Sequence, residues 1–237
     1  MSARLKQVFL PCADGMWDDL TLGASYVLGD TAITDGLAVQ FSPYFGSSAV
    51  GYGEIQNGRD SRPEFFDNES LGSKHEIHLN KITANIDLTS DGADHYQDAK
   101  IRYGEYGGGV EFLVNGAFIA VPNMRDLHGI TLGGCYIDVY SGGNGNDAGE
   151  IHIQGQVKSI GIGGEELWVD CLSGTPVYPM LLGDADGDGF VGILDFTQLL
   201  IEFGSDCSNG CSADFDNDGD VDTTDFSTLL INWGTSL

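Results

Sequence analysis

Six aspartates at strict alternate spacing are the residues of this chain best placed to do chemistry. Asp184, Asp186 and Asp188 run into Gly189, and Asp214, Asp216 and Asp218 run into Gly219. Each stretch continues as D-x-D-x-D-G-x-V-x-x-x-D. A hard cation the size of calcium takes six to eight oxygen ligands, which a twelve-residue loop supplies from positions 1, 3, 5, 7, 9 and 12. Carboxylates at 1, 3 and 5 point inward, and the glycine at position 6 allows the sharp turn. Position 7 gives a backbone carbonyl, from Phe190 in one loop and Asp220 in the other. Asp195 and Asp225 close the loops at position 12. At position 9, Asp222 can coordinate directly or through water, whereas Gly192 leaves only room for a water. The expectation is two calcium ions, held by Asp184, Asp186, Asp188, Phe190 and Asp195, and by Asp214, Asp216, Asp218, Asp220, Asp222 and Asp225. A solvated acidic turn is the bland alternative, but crowded carboxylates without a cation repel one another and disfavour a compact loop.

The two loops belong to an internal duplication with an offset of thirty residues, which continues through Val191/Val221, Phe196/Phe226, Leu199/Leu229, Leu200/Leu230, Ile201/Ile231 and Gly204/Gly234. The valines at position 8 are expected to pair the loops through a short strand contact. After each loop, Phe196, Leu199, Leu200 and Phe203, then Phe226, Leu229, Leu230 and Trp233, fall at helical spacing. A glycine follows each row, where it ends a helix. Two loop–helix units therefore bury their stripes against each other.

An ordinary EF-hand has a helix before the loop and Glu at position 12; residues 183–237 have neither, and in both respects resemble dockerins. The resemblance implies a small α domain that docks onto a cohesin-like β-sandwich, with positions 10 and 11 of each loop helping to choose the partner. Here those positions are Ile193-Leu194 and Thr223-Thr224, an apolar pair and a hydroxyl pair, so the two faces are not equivalent. The cysteine-containing connector and short second helix depart from cellulosomal dockerins.

Bulk composition agrees with this division. Residues 181–237 hold twelve of the thirty-six acidic residues and none of the ten Lys and Arg. A net charge of −26 repels phosphate backbones and anionic lipid, which argues against nucleic-acid and membrane partners. No apolar run approaches the roughly 18 residues of a membrane span, and Met1 to Cys12 lacks the apolar stretch of a secretory signal. Calcium loops fill where that ion is abundant, so an extracellular or cell-surface location, with a leader left off, is expected. Of five cysteines, Cys207 and Cys211 flank a short connector and suit a disulfide clip in a secreted protein; no further ligands complete a zinc site. Cys135 reads as a buried free thiol.

Residues 1–175 show short alternating runs between Gly, Asn and Asp turns, with 35 glycines in the whole chain. Cys135, Ile137 and Val139 share one face, as do Val110, Phe112 and Val114. Gly-Gly and Asn-Gly pairs at 107–109, 115–116, 133–134, 142–145 and 163–164 mark tight turns. The spacing predicts a mostly β protein, an antiparallel β-sandwich of jelly-roll type over 1–175, a linker over 176–182 that begins to read as such at Ser173, and the α domain over 183–237. Ile101 to Gly108, Val114 to Gly116, Gly129 to Gly134 and Gly163 to Asp170 resemble a sandwich found beside dockerin-like tails in secreted bacterial proteins.

No nucleophile elbow, phosphate loop or dinucleotide fingerprint appears, and the five histidines are scattered. Glu105 and Glu165 are the candidates for a glycosidase pair, but both adjoin Gly-rich turns, where carboxylates cap backbone amides. No catalytic residue is assigned. Tyr103, Tyr106, Tyr136, Tyr140 and Trp168 could offer flat platforms to extracellular polysaccharide, although strands favour aromatics whatever their function. The leading expectation is a secreted, non-catalytic, calcium-binding module that docks to a cohesin-like partner or to a neighbouring copy. The alternatives are a polysaccharide-binding sandwich anchored by its tail and a glycoside-active enzyme. Asn68-Glu69-Ser70 matches a glycosylation acceptor.

Overall fold

A computed structural model describes residues 16–44, 51–57, 75–141, 147–178, 181–208 and 210–236; Cys12, the Asn68 triplet and the turn at 142–145 lie outside them. The chain divides into two compact units, Met1–Val177 and Tyr178–Leu237. Fourteen strands are described in the first: β1 Ser25–Val27, β2 Thr31–Thr34, β3 Leu37–Pro43, β4 Tyr52–Asn57, β5 His75–Asn80, β6 Ile82–Asp87, β7 His95–Glu105, β8 Val110–Val114, β9 Ala117–Val121, β10 Thr131–Leu132, β11 Cys135–Ser141, β12 Asp147–Val157, β13 Ser159–Gly164 and β14 Leu167–Val177.

Alternation of apolar and polar residues gives each strand one face for the core, and two antiparallel sheets result. One has the order β1-β4-β5-β14-β7-β12-β11-β10, the other β2-β3-β6-β13-β8-β9. From β5 to β8 the chain changes sheet at every step, and β13 and β14 slot between strands laid down earlier. That interleaving of two Greek keys is the jelly roll expected from the sequence. Register aligns Val139, Ile151 and Ile101 across one sheet and Phe41, Ala84, Ile162 and Phe112 across the other. All belong to a single buried core. Each buried Val, Ile or Phe contributes roughly 1.5–3 kcal/mol through removal from water.

Two hairpins form at the expected turns. Asn115 and Gly116 (φ 51° and 78°) join β8 to β9, and Gly133 and Gly134 (φ 58° and 84°) join β10 to β11. Asn115 also ties neighbouring hairpins together: its Nδ2 donates to the carbonyls of Gly133 and Gln156, and its Oδ1 accepts from the amides of Lys158 and Ser159.

The expectation of a turn at 163–164 is overturned. Both glycines lie inside β13, paired with Thr83 and Ile82. Space explains them: a Cβ at Gly163 would stand 2.3 Å from Thr83 Oγ1. Similarly, Ser173–Val177 is strand and not linker, with Thr175, Pro176 and Val177 opposite Gln97, Tyr96 and His95. Among the described residues, β5 pairs with β14 at Leu167–Val169, and Pro176 lies in the part of β14 that pairs with β7.

In the second unit the helices are α1 Ile193–Glu202 and α2 Thr223–Ile231. Leu199 and Leu229 are fully buried with Val191, Val221, Ala213 and Cys207. Phe196 and Phe226 pack against this cluster part-buried, whereas the rest of the apolar rows stays exposed: Leu200 is 58% exposed, Leu230 52%, Phe203 49% and Trp233 47%. Two short helices in contact can each cover only one line of side chains. Cys207 and Cys211 form the disulfide, and Cys135 is the free, buried cysteine. Cys171 is also disulfide-bonded.

Candidate functional site

In both loops the alternate spacing folds the carboxylates at positions 1, 3 and 5 onto one point. Single oxygens of Asp184, Asp186 and Asp188 lie within 4.8 Å of one another, and so do those of Asp214, Asp216 and Asp218. Gly189 and Gly219 at position 6 have φ of 83° and 100°, the left-handed turn that the motif demands. Position 4 is left-handed too, in Gly187 and Asn217.

Amide groups inside each loop face its carboxylates. Asp184 Oδ1 accepts from the amides of Gly187 and Asp188, and its Oδ2 from that of Gly189. The second loop differs: Asp214 Oδ2 accepts from Gly219, while Asp214 Oδ1 is buried with no hydrogen-bond partner. An ionised oxygen cut off from water and from donors is costly unless a cation faces it. The donor set, all hard oxygen, suits calcium.

Electrostatics point the same way. The Asp186 and Asp216 carboxyls are pushed above the ordinary range, first by loss of hydration and then by the adjacent aspartates, against an opposing hydrogen bond from the amide two residues on. Asp220 is raised chiefly by the charge of Asp218. A divalent ion would relieve this repulsion.

Position 12 has a structural role that spacing alone did not reveal. Asp195 and Asp225 are 1% and 0% exposed. Asp225 Oδ1 accepts from the amides of Phe215 and Asp216 (2.7 and 3.4 Å), and its Oδ2 from that of Asp222 (2.8 Å). Asp195 repeats the pattern with Ala185, Asp186 and Gly192. Each carboxylate thus laces the start of its loop to the end. Asp222 also caps α2, its Oδ1 accepting from the Thr224 amide. Gly192 at the equivalent place has no side chain to offer α1.

The expected pairing of Val191 with Val221 does not form. Val191 exchanges hydrogen bonds with Gly234 and Thr235, and Val221 accepts from Gly204. Phe190 and Asp220, at position 7, bridge Ser236 and Asp206. Each loop is therefore stitched to the turn after the other repeat's helix, an approximate two-fold arrangement. It arises because Gly204 and Gly234 (φ 79° and 80°) turn the chain back towards the opposite loop. Phe196 and Phe226 meet across the helix pair at 6.0 Å.

The residues at positions 10 and 11, at the start of each helix, face solvent. Ile193 is 65% and Leu194 60% exposed, and Thr223 and Thr224 are exposed as well. Leu200, Ile201, Leu230 and Ile231 extend the apolar surface.

In the sandwich, Glu105 is buried and accepts from the Met124 amide, so it caps the 3-10 turn Met124–Leu127. Among the aromatic candidates, Tyr103 is core and Trp168 is buried, its indole stacked on His78 at 4.2 Å and bonded to Gln56. Tyr136 remains 43% exposed.

No family model matches the chain, and no curated protein matches it. Two solved structures show faint likeness. One is a mutant of a family 29 carbohydrate-binding module complexed with mannohexaose, 8% identical over 65% of this chain and 95% of that one, with a TM-score of 0.29. The other is a Stig cyclase from Fischerella sp. TAU in complex with a pyrrolidinylidene-indole, 10% identical over 71% and 97%, with a TM-score of 0.24. Scores this low carry neither site nor activity across.

Proposed function

We propose that residues 183–237 bind two calcium ions and that the ordered unit docks onto a protein partner, either a cohesin-like β-sandwich or the sandwich of a neighbouring copy. The observation that carries this reading is the repeated convergence of three carboxylates on one point, with an orphaned Asp214 oxygen in the second loop. Asp184, Asp186 and Asp188, and Asp214, Asp216 and Asp218, supply the side-chain oxygens. Phe190 and Asp220 supply carbonyls, Asp195 and Asp225 complete each loop, and Asp222 adds a further carboxylate to the second. Bound calcium would neutralise the mutual repulsion of these groups and fix the helix starts. Ile193, Leu194, Thr223 and Thr224 are then the docking contacts, and their exposure supports that role. A disulfide at Cys207–Cys211 and a need for plentiful calcium support an extracellular or cell-surface setting. The role is assembly rather than turnover.

Sedimentation velocity of the full chain at micromolar concentration, with calcium and with chelator, tests the docking. A calcium-dependent rise in mass, alone or with a cohesin-like sandwich added, and its loss in Ile193→Asp/Leu194→Asp, is expected. A lone monomer under every condition contradicts it.

A further inference from the structure

The outer surface of β11, β12 and β7 carries an arrangement that the calcium reading does not use. Alternation directs Tyr136, Asp138 and Tyr140 of β11 away from the core, because Cys135, Ile137 and Val139 are buried. Register places Gln154, His152 and Glu150 of β12 beside them in order, and Lys100 and Arg102 of β7 beyond His152 and Glu150.

Two carboxylates on this face are each held by two neighbours. Glu150 accepts from Arg102 Nε at 3.3 Å and bonds His152 Nε2. Asp138 accepts from the Tyr140 hydroxyl at 2.7 Å and lies 2.7 Å from His128 Nδ1. The Tyr140 ring packs against His152 at 4.6 Å, which joins the two groups. Arg102 is buried beneath this layer, with a side chain 7% exposed.

We infer that this face binds a neutral polysaccharide, with Tyr136 and Tyr140 as stacking platforms and Asp138, Glu150 and His152 as fixed hydrogen-bonding groups. Three physical points lead there. The exposed ring of Tyr136 offers an apolar surface to the C–H face of a sugar while its hydroxyl stays wet. Carboxylates locked by existing bonds keep lone pairs for sugar hydroxyls and lose little freedom on binding. Glu150 is already paired with Arg102, and an anionic ligand would meet both carboxylates, so the site suits an uncharged one. Four residues along a strand span roughly 13 Å, so the two tyrosines suit an oligosaccharide segment rather than a single ring.

Affinity electrophoresis of the full-length protein through gels containing neutral glucans, mannans, xylans or galactans, with an anionic polysaccharide in a parallel gel, tests the inference. At least one polymer should retard the protein. Tyr136→Ala should abolish retardation, His152→Ala should weaken it at least tenfold, and Tyr136→Trp should keep it. Ile33→Ala, on an exposed position of the other sheet, should leave it unchanged, and so should chelator, since calcium has no part in this site. Thermal unfolding of each variant verifies that the fold is intact. Failure of every neutral polymer to retard the protein overturns the assignment. So does retardation that survives Tyr136→Ala and His152→Ala, that disappears with chelator, or that occurs only with anionic polymers.

Discussion

Replacing Asp225 by Ala separates the structural role of position 12 from metal binding. In the folded unit this buried carboxylate accepts three backbone amides, two of them at 2.7 and 2.8 Å and one at 3.4 Å. Hydrogen bonds to a charged group contribute about 1.5–3 kcal/mol each, and stranding a buried donor adds to the loss. Two good bonds and one weak one therefore put the cost at about 3–5 kcal/mol. Domains are stable by only about 5–15 kcal/mol, and a unit with six buried core residues sits near the bottom of that range. The substitution should unfold most of the tail at room temperature even with chelator present. Calorimetry and amide-resolved NMR of the full chain read this directly: signals from 183–236 collapse while those of the sandwich persist. An Asp225→Ala tail that stays folded in chelator, with unchanged amide signals at Phe215 and Asp222, refutes the lacing argument.

Metal-free protein should show an unusual pH response. Asp186, Asp216 and Asp220 titrate above the ordinary value of 3.8 in the fold, so the folded tail holds more protons than the unfolded chain just above that pH. Stability conferred by those protons is full below the ordinary value and is lost as pH rises through the raised ones. Asp206, lowered chiefly by the Ser208 amide, acts in the opposite sense: its contribution is present above 3.8 and fades as pH falls through its lowered value. In chelator the tail should therefore melt highest at mildly acidic pH and lower at neutrality, whereas with calcium its melting temperature should rise over that interval; equal profiles in the two conditions would count against repulsion in the loops. In the sandwich, Asn115→Ala removes the four side-chain hydrogen bonds to backbone groups and a weaker one to Cys135 Sγ, and places Ala at φ 51°. Urea denaturation should show a loss of about 2–3 kcal/mol, and a change under about 0.5 kcal/mol would remove Asn115 as a tie between hairpins.

Much of this architecture was legible because period and punctuation are local signals. The carboxylates at alternate positions ending in Gly189 and Gly219 announce a loop without any tertiary information, and Asn115-Gly116 and Gly133-Gly134 announce their hairpins. The failures have a common cause, since they turn on neighbours remote in sequence. Gly163 sits in a strand because Thr83 crowds it, which nothing near position 163 reveals. Val191 meets Gly234 and Thr235 rather than Val221 because the helices carry the chain across before it turns. The buried row of Glu76, Arg102 and Asp170 on an outward sheet face was equally hidden, as polar outward positions ordinarily face water. At the site, the twin use of Asp222 as loop residue and helix cap could have been suspected from its place just before Thr223 and three residues ahead of Asp225.

Calorimetric titration of the purified, metal-stripped chain with calcium probes the ring of oxygens in each loop most directly. Two ions should enter per molecule, Asp214→Ala should reduce the count to one, and Asp184→Ala combined with it should abolish uptake. No tight binding by the unaltered chain, or two ions still bound after Asp214→Ala, would contradict the account.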